Sequence, residues 1–257
     1  MDNIIHQPTH YPWLVLALSF ITMWLSARIG RAFLRRRYKL SEEMREDFNV
    51  ILTATLTLLG LIIGFSFSMA ISRYDQRKNL EEEEANAIGT EYVRADLLPA
   101  ADAQKVRVLL RSYLDQRILL YTTRGEQQIS QINTRTAQLQ TDLWSAVLTT
   151  AAAQPTPPIA LVVSGVNDVL NSQGYTQAAW WNRIPNAAWG LMAAIAICCN
   201  LLVGYGSRST EPKLFLVLPL LVSIAFLLIA DIDSPRHGLI HVIPENLISL
   251  AESLRAH

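Results

Sequence analysis

Charge is missing from four long stretches of this sequence: Tyr11 to Ala27, Phe48 to Ser72, Ile184 to Ser207 and Leu214 to Ala230 contain no Asp, Glu, Lys or Arg. A helix needs ~20 mostly apolar residues, with a range of about 17–25, to cross a bilayer core. Each stretch is long enough, and a buried soluble core hardly explains four of them in a chain of 257 residues. The predicted fold class is therefore an all-α integral membrane protein with four transmembrane helices. Basic residues are absent from the N-terminal flank, MDNIIHQPTH, and crowd instead behind the first stretch in RIGRAFLRRRYK. That order is the reverse of a cleavable signal peptide, so the first stretch reads as a span. Net charge is absent too: 22 basic residues balance 22 acidic ones, which removes any global electrostatic reason to expect a nucleic-acid partner. Cysteine is scarce, and Cys198 and Cys199 are adjacent inside the third span. They offer neither a disulfide framework nor a spaced metal site and read as packing residues. No metal or cofactor is expected.

What is present divides into two transmembrane hairpins, residues 1–72 and 184–230, a helical extramembrane insert, residues 73–183, and a C-terminal tail, residues 231–257. The insert reads as helix by its periodicity. Apolar and aromatic residues recur from Val106 through Leu109, Leu110, Tyr113, Leu114 and Tyr121 at helical spacing. A second seam runs Ile129, Ile132, Thr136, Leu139, Leu143 in alternating steps of three and four, the period of a helical bundle. QPTPP, from Gln154 to Pro158, interrupts it, and a third helix is predicted from Ile159 to Gln173, ending before Gly174.

One segment joins the two chemistries. From Gly64 to Pro99 the sequence begins greasy and becomes acidic with no proline inside it, and Gly89 is the only helix-weakener before its end. A helix from Phe48 to Leu98 extends roughly 75 Å, more than twice a hydrocarbon core, so the second span must continue into water. Arg73, Arg77 and Lys78 fall at the exit, where long basic side chains reach headgroup phosphates. The four glutamates that follow, Glu81, Glu82, Glu83 and Glu84, point around most of the helix circumference. A solvated charge run and an acidic ring at a pore mouth are both compatible with that pattern.

Arg28, Arg31, Arg35, Arg36, Arg37, Lys39 and Arg45 crowd the loop between the first two spans, and Arg208 and Lys213 the loop between the last two. The positive-inside rule places both loops in the cytoplasm, which leaves the termini and the helical insert outside.

The segments LLGLIIGFSFSMAISRYDQR, EEANAIGTEYVRADLLP, LRSYLDQR and DIDSPRHGLI, in that order, resemble the bestrophin-like domain family of bacterial membrane proteins. That family is regarded as a distant relative of bestrophins, pentameric ion channels whose second span lines the pore. The resemblance implies a homo-oligomer in a bacterial cytoplasmic membrane, with the lipid bilayer and small inorganic ions as its partners. Gly64–Phe65 looks like the Gly-Phe pair of the bestrophin pore, which implies that Thr57, Leu61 and Phe65 line an axis. The same residues also suit a lipid-facing or packing surface. Asp233, Pro235 and Gly238 look like a variant of the turn that follows the last bestrophin span. The acidic calcium-binding run of bestrophins is missing, since LIHVIPENL follows instead, and Asp231 with Asp233 falls short of the six to eight oxygens calcium takes. These two aspartates read as markers of the headgroup boundary or as shapers of the turn. The resemblance also implies cytosolic termini, opposite to the charge count.

Three function classes follow. An oligomeric ion channel or pore of undetermined selectivity leads. A non-conducting membrane scaffold or stress-response protein with a helical partner-binding domain is the alternative. An enzyme fits worst: His237 and His241 lack the glutamate of a zinc-protease pattern, Ser164–Gly165 lacks a nucleophile elbow, and none of the four spans carries the charge a proton relay needs.

Overall fold

A computed structural model describes residues 12–34, 41–207, 214–236 and 238–256. Of the basic loop residues, Arg35, Arg36, Arg37, Lys39, Arg208 and Lys213 lie outside the described residues, as does His237 of the expected turn. The described residues form eight α-helices: α1 Pro12–Ile29, α2 Glu42–Arg94, α3 Ala100–Thr122, α4 Glu126–Ala153, α5 Pro157–Trp181, α6 Asn186–Gly206, α7 Leu214–Asp233 and α8 Glu245–Arg255. A π-helical turn, Gly30–Leu34, prolongs α1, and a 3-10 turn, Ala95–Leu97, closes α2. No strand occurs among the described residues. Four helices are long and apolar enough to cross a membrane: α1 with its π turn, α2, α6 and α7. The protein is an all-α integral membrane protein with four spans in two hairpins and a helical insert between them.

The chain forms two compact units, residues 1–73 with 183–241, and residues 74–182 with 242–257. In the first, α1 lies against α6 and α7. Small residues set the α1–α6 approach. A Cβ on Gly204 would sit 2.1 Å from the Ala27 carbonyl oxygen, and one on Gly30 would sit 2.1 Å from that of Leu201. Only glycine lets two backbones come this close, the usual device where lipid supplies no hydrophobic drive between helices. Helix α2 joins the bundle through Phe48, whose ring meets Tyr205 edge-on at 5.5 Å, and through the Cys199 thiol, 3.4 Å from the Thr55 carbonyl.

The second unit packs α3, α4, α5, α8 and the distal part of α2 around Ile88, Val106, Leu110, Leu139, Leu143, Val162 and Leu247. Burying such a side chain stabilises by about 1.5–3 kcal/mol each. Ile132, Thr136, Leu139 and Leu143 are buried and Ile129 is partly buried, so the three-and-four spacing of α4 faces its neighbours as its period requires.

Two local expectations need correction. Helix α5 starts at Pro157, because a proline in the first helical turn gives up an amide that has no partner anyway. It also runs through Gly174 to Trp181 instead of ending there. A glycine inside a helix costs about 1 kcal/mol, and the buried Thr176, Ala179 and Trp180 beyond it hold the last turns in place. The Trp180 ring packs edge-on against Tyr121 at 4.9 Å. The basic exit of the second span also differs. Arg77 is buried, and the Arg73 guanidinium approaches the Asp233 carboxylate at 3.9 Å, so neither is spread over headgroups.

Candidate functional site

Helix α2 carries two of the three sequence-predicted sites, and its two sides differ. The packed side of its membrane part holds Leu59, Ser66 and Ala70, all buried. At 100° per residue, Thr57, Leu61 and Gly64 fall on the opposite side and Phe65 beside them. There Leu61 is 52% exposed and Phe65 65% exposed, and a Cβ on Gly60 or Gly64 would meet nothing within 4 Å. The Thr57 hydroxyl donates to the Thr53 carbonyl at 2.9 Å, which satisfies its proton within the helix. One subunit therefore leaves this stripe uncovered. Ile62, between the two sides, is partly buried.

The glutamate run does not act as a set of four. Glu82 and Glu83 are exposed, whereas Glu81 is 1% exposed and Glu84 is fully buried. Residues three apart share a helix face, and here that face meets protein. Glu81 accepts the Leu247 backbone amide at 2.9 Å and the Asn246 side-chain amide at 2.7 Å. Its carboxylate thus caps the first turn of α8, where unsatisfied amides and the helix dipole both favour a negative group. Glu84 takes both arms of a buried Arg117, Nη2 at 3.2 Å, with further donation from Thr176 at 3.2 Å and Tyr113 at 3.5 Å. Burial is the largest single effect and opposes the Arg117 charge, but Glu84, Tyr113 and Tyr121 together outweigh it and hold the guanidinium above its ordinary value. Burial, and then the Glu84 charge, push the Tyr113 phenol up, keeping it a donor. Two of the four glutamates thereby serve the fold, and Glu82 and Glu83 alone of the run are exposed. Sequence reasoning missed Arg117 and Glu84 as partners. The available signal was a charged residue in register with the apolar Leu110, Tyr113 and Leu114.

The turn after the last span is built on two carboxylates. Asp231 accepts the Leu239 and Ile240 amides at 2.8 Å each, and Asp233 accepts the Ile184 amide at 3.1 and 3.2 Å. Pro235 and Gly238 complete it. A Cβ on Gly238 would lie 2.5 Å from the Asp231 carbonyl oxygen, so the position has no room for a side chain. The turn thus clips the end of α7 to the start of α6. Among the described residues no group of three or more His, Cys, Asp or Glu is arranged to hold a metal.

The sequence matches the family model of the Bestrophin-like domain over residues 13–247. The chain belongs to the Bestrophin-like family. No curated protein matches its sequence. Solved structures share the fold at low identity. A bacterial bestrophin homologue from Klebsiella pneumoniae, phased on zinc, is 14% identical over 93% of this chain and 98% of its own, with a TM-score of 0.60. A single-residue variant of the Klebsiella homologue is 13% identical over 94% of each chain, with a TM-score of 0.63. A structure described only as a membrane protein variant gives 14%, 95% and 97%, with a TM-score of 0.64. The matches cover this Bestrophin-like chain from the first span to α8.

Proposed function

We propose that this Bestrophin-like protein is an oligomeric ion channel of a bacterial cytoplasmic membrane, with α2 of each subunit lining a shared axis. The observation that carries the reading is the uncovered stripe. A span packed on one side by Leu59, Ser66 and Ala70 leaves Thr57, Leu61, Gly64 and Phe65 exposed in its own chain. A homo-oligomer, pentameric by the family resemblance, would bring copies of this stripe together. Rings of Leu61 and Phe65 would form an apolar constriction, which closes to ions when it dewets. Exposed Glu82 and Glu83 are left as the charged ring farther along the helix, and a ring of that sign favours cations.

The test is ion flux in liposomes together with the symmetry of the purified particle. Phe65→Ala should widen and wet the constriction and raise flux above that of the wild type, with the oligomer intact. Leu61→Ala should act in the same direction, and Ile62→Ala less so. A closed ring with a gain of flux supports the channel. Monomers, or equal silence of the wild type and both variants across salts and voltages, would replace it with the scaffold. Glu82→Gln with Glu83→Gln should weaken any preference for cations, and an unchanged reversal potential would return these residues to a solvated face.

A further inference from the structure

In the second unit, Glu91 of α2 is fully buried, and neither of its carboxyl oxygens has a hydrogen-bond partner. It occupies room made by a missing side chain. A Cβ on Gly165 of α5 would lie 1.8 Å from Glu91 Oε2 and 2.7 Å from Arg94 Nη1. The Arg94 guanidinium is directed instead to Asp168 of α5, at 3.9 Å, and that pair is partly exposed. The other charged groups around α2 are engaged elsewhere. Arg107 of α3 bonds Asp96 and the Tyr92 carbonyl, Arg111 bonds the Tyr92 hydroxyl, and Arg255 of α8 pairs with Asp115. From α8, an apolar Leu250 faces the neighbouring Gly89.

An ionised carboxylate sealed in protein without a donor is among the most costly arrangements a fold can contain, and such a group takes up a proton instead. We propose that Glu91 is a proton-operated latch between α2 and α5, neutral while the two helices are packed and forcing their contact open when it ionises. In the neutral state Arg94 is free to bridge to Asp168, and the two helices share that ion pair. When Glu91 gives its proton to solvent, the new carboxylate competes with Asp168 for Arg94 and draws water into the notch at Gly165. Both effects weaken the same contact. Burial is the main force pushing the Glu91 carboxyl up to about 8 from an ordinary 4.5, with Arg94 opposing and Asp168 adding to the rise. A carboxyl raised in the fold binds its proton more tightly there than in the unfolded chain. Its stabilising contribution is therefore complete below about 4.5 and is lost as pH rises to about 8. The latch joins α2, which continues the second span, to α5, which precedes the third span in the chain.

The test uses full-length protein with Cys198 and Cys199 replaced by Ala and spin labels at the exposed Val93 and Leu161. The distance between labels should be narrowly distributed well below pH 8 and should broaden or lengthen above it, with a midpoint near about 8. Glu91→Gln should keep the narrow distribution at every pH. Asp168→Asn, a change at an exposed position, should lower the midpoint because a repelling charge is removed. A distribution that does not change with pH in the otherwise unaltered protein would overturn the proposal. So would an equal change in Glu91→Gln, or a midpoint that Asp168→Asn leaves where it was. Should Glu91→Gln fail to fold, the Asp168→Asn midpoint decides.

Discussion

Glu81 to Glu84 are chemically identical and adjacent, yet they differ in every property that follows from position. Glu84 and Arg117 form an ion pair with both side chains fully buried. Desolvating two charges costs roughly what their attraction returns, so the pair is weak evidence of net stability. Removing one partner is a different matter, because the other is left buried and uncompensated. Arg117→Met or Glu84→Ala should destabilise the protein by about 3–5 kcal/mol. Glu82→Gln and Glu83→Gln, at exposed positions, should stay within about 0.5 kcal/mol of the wild type. Denaturant unfolding of the full chain in detergent checks both. Equal effects at all four glutamates would mean that Glu84 does not meet Arg117 in the folded protein. None of this division was legible in the sequence, which shows only that four carboxylates surround a helix. Which of them meets protein depends on three helices, α3, α5 and α8, that all begin beyond Pro99.

At the scale of the element, legibility follows the length of the pattern. Blocks without charge announced all four spans, and the seam from Ile129 to Leu143 announced α4, because each repeats over several turns. Helix α8 has eleven residues and buries Leu247, Ala251 and Leu254, a pattern too short to stand out from a tail. Isolated helices of this length are marginal in water, so tertiary contacts must hold it. The Glu81 carboxylate on its first turn is the polar part of that support. Glu81→Ala should cost about 1 kcal/mol, the usual price of a lost cap, and the loss should be local. Amide exchange should accelerate in residues 245–255 and stay unchanged in α4. Exchange that rises equally throughout the second unit would show that Glu81 supports the whole unit and not the cap. The end of α5 departs from the sequence expectation for a related reason. Gly174 carries a clear stop signal, and the residues that overrule it, Thr176 and Trp180, do so through contacts with other helices.

At the scale of the whole molecule, two arguments about orientation point in opposite directions. The family resemblance implies a cytosolic helical insert, whereas the basic hairpin loops place it outside. The geometry bears on how those charges are counted. Arg73, Arg77 and Lys78 stand at the exit of the second span, at the opposite end from the basic loops, where as raw charges they count against the loops. Arg73 is matched by Asp233, and Arg77 is buried. Of the three basic residues at this exit, Lys78 alone is exposed. The counterweight to Arg28, Arg31 and Arg45 and their neighbours in the first loop is thus smaller than the raw sequence suggests. The positive-inside rule then leads one to expect the insert outside. In intact bacteria whose protein lacks Cys198 and Cys199, a cysteine at the exposed Gln138 of α4 should react with an impermeant thiol reagent. A cysteine at the exposed Glu43, beside the basic loop, should react only after permeabilisation. Two sites with opposite expectations guard against leaky cells, which would label both, and against poor expression, which would label neither. Labelling at Glu43 with protection at Gln138 would reverse the insertion. It would put the helical unit in the cytoplasm and show that charge pairing in the folded protein does not govern how this chain enters the membrane.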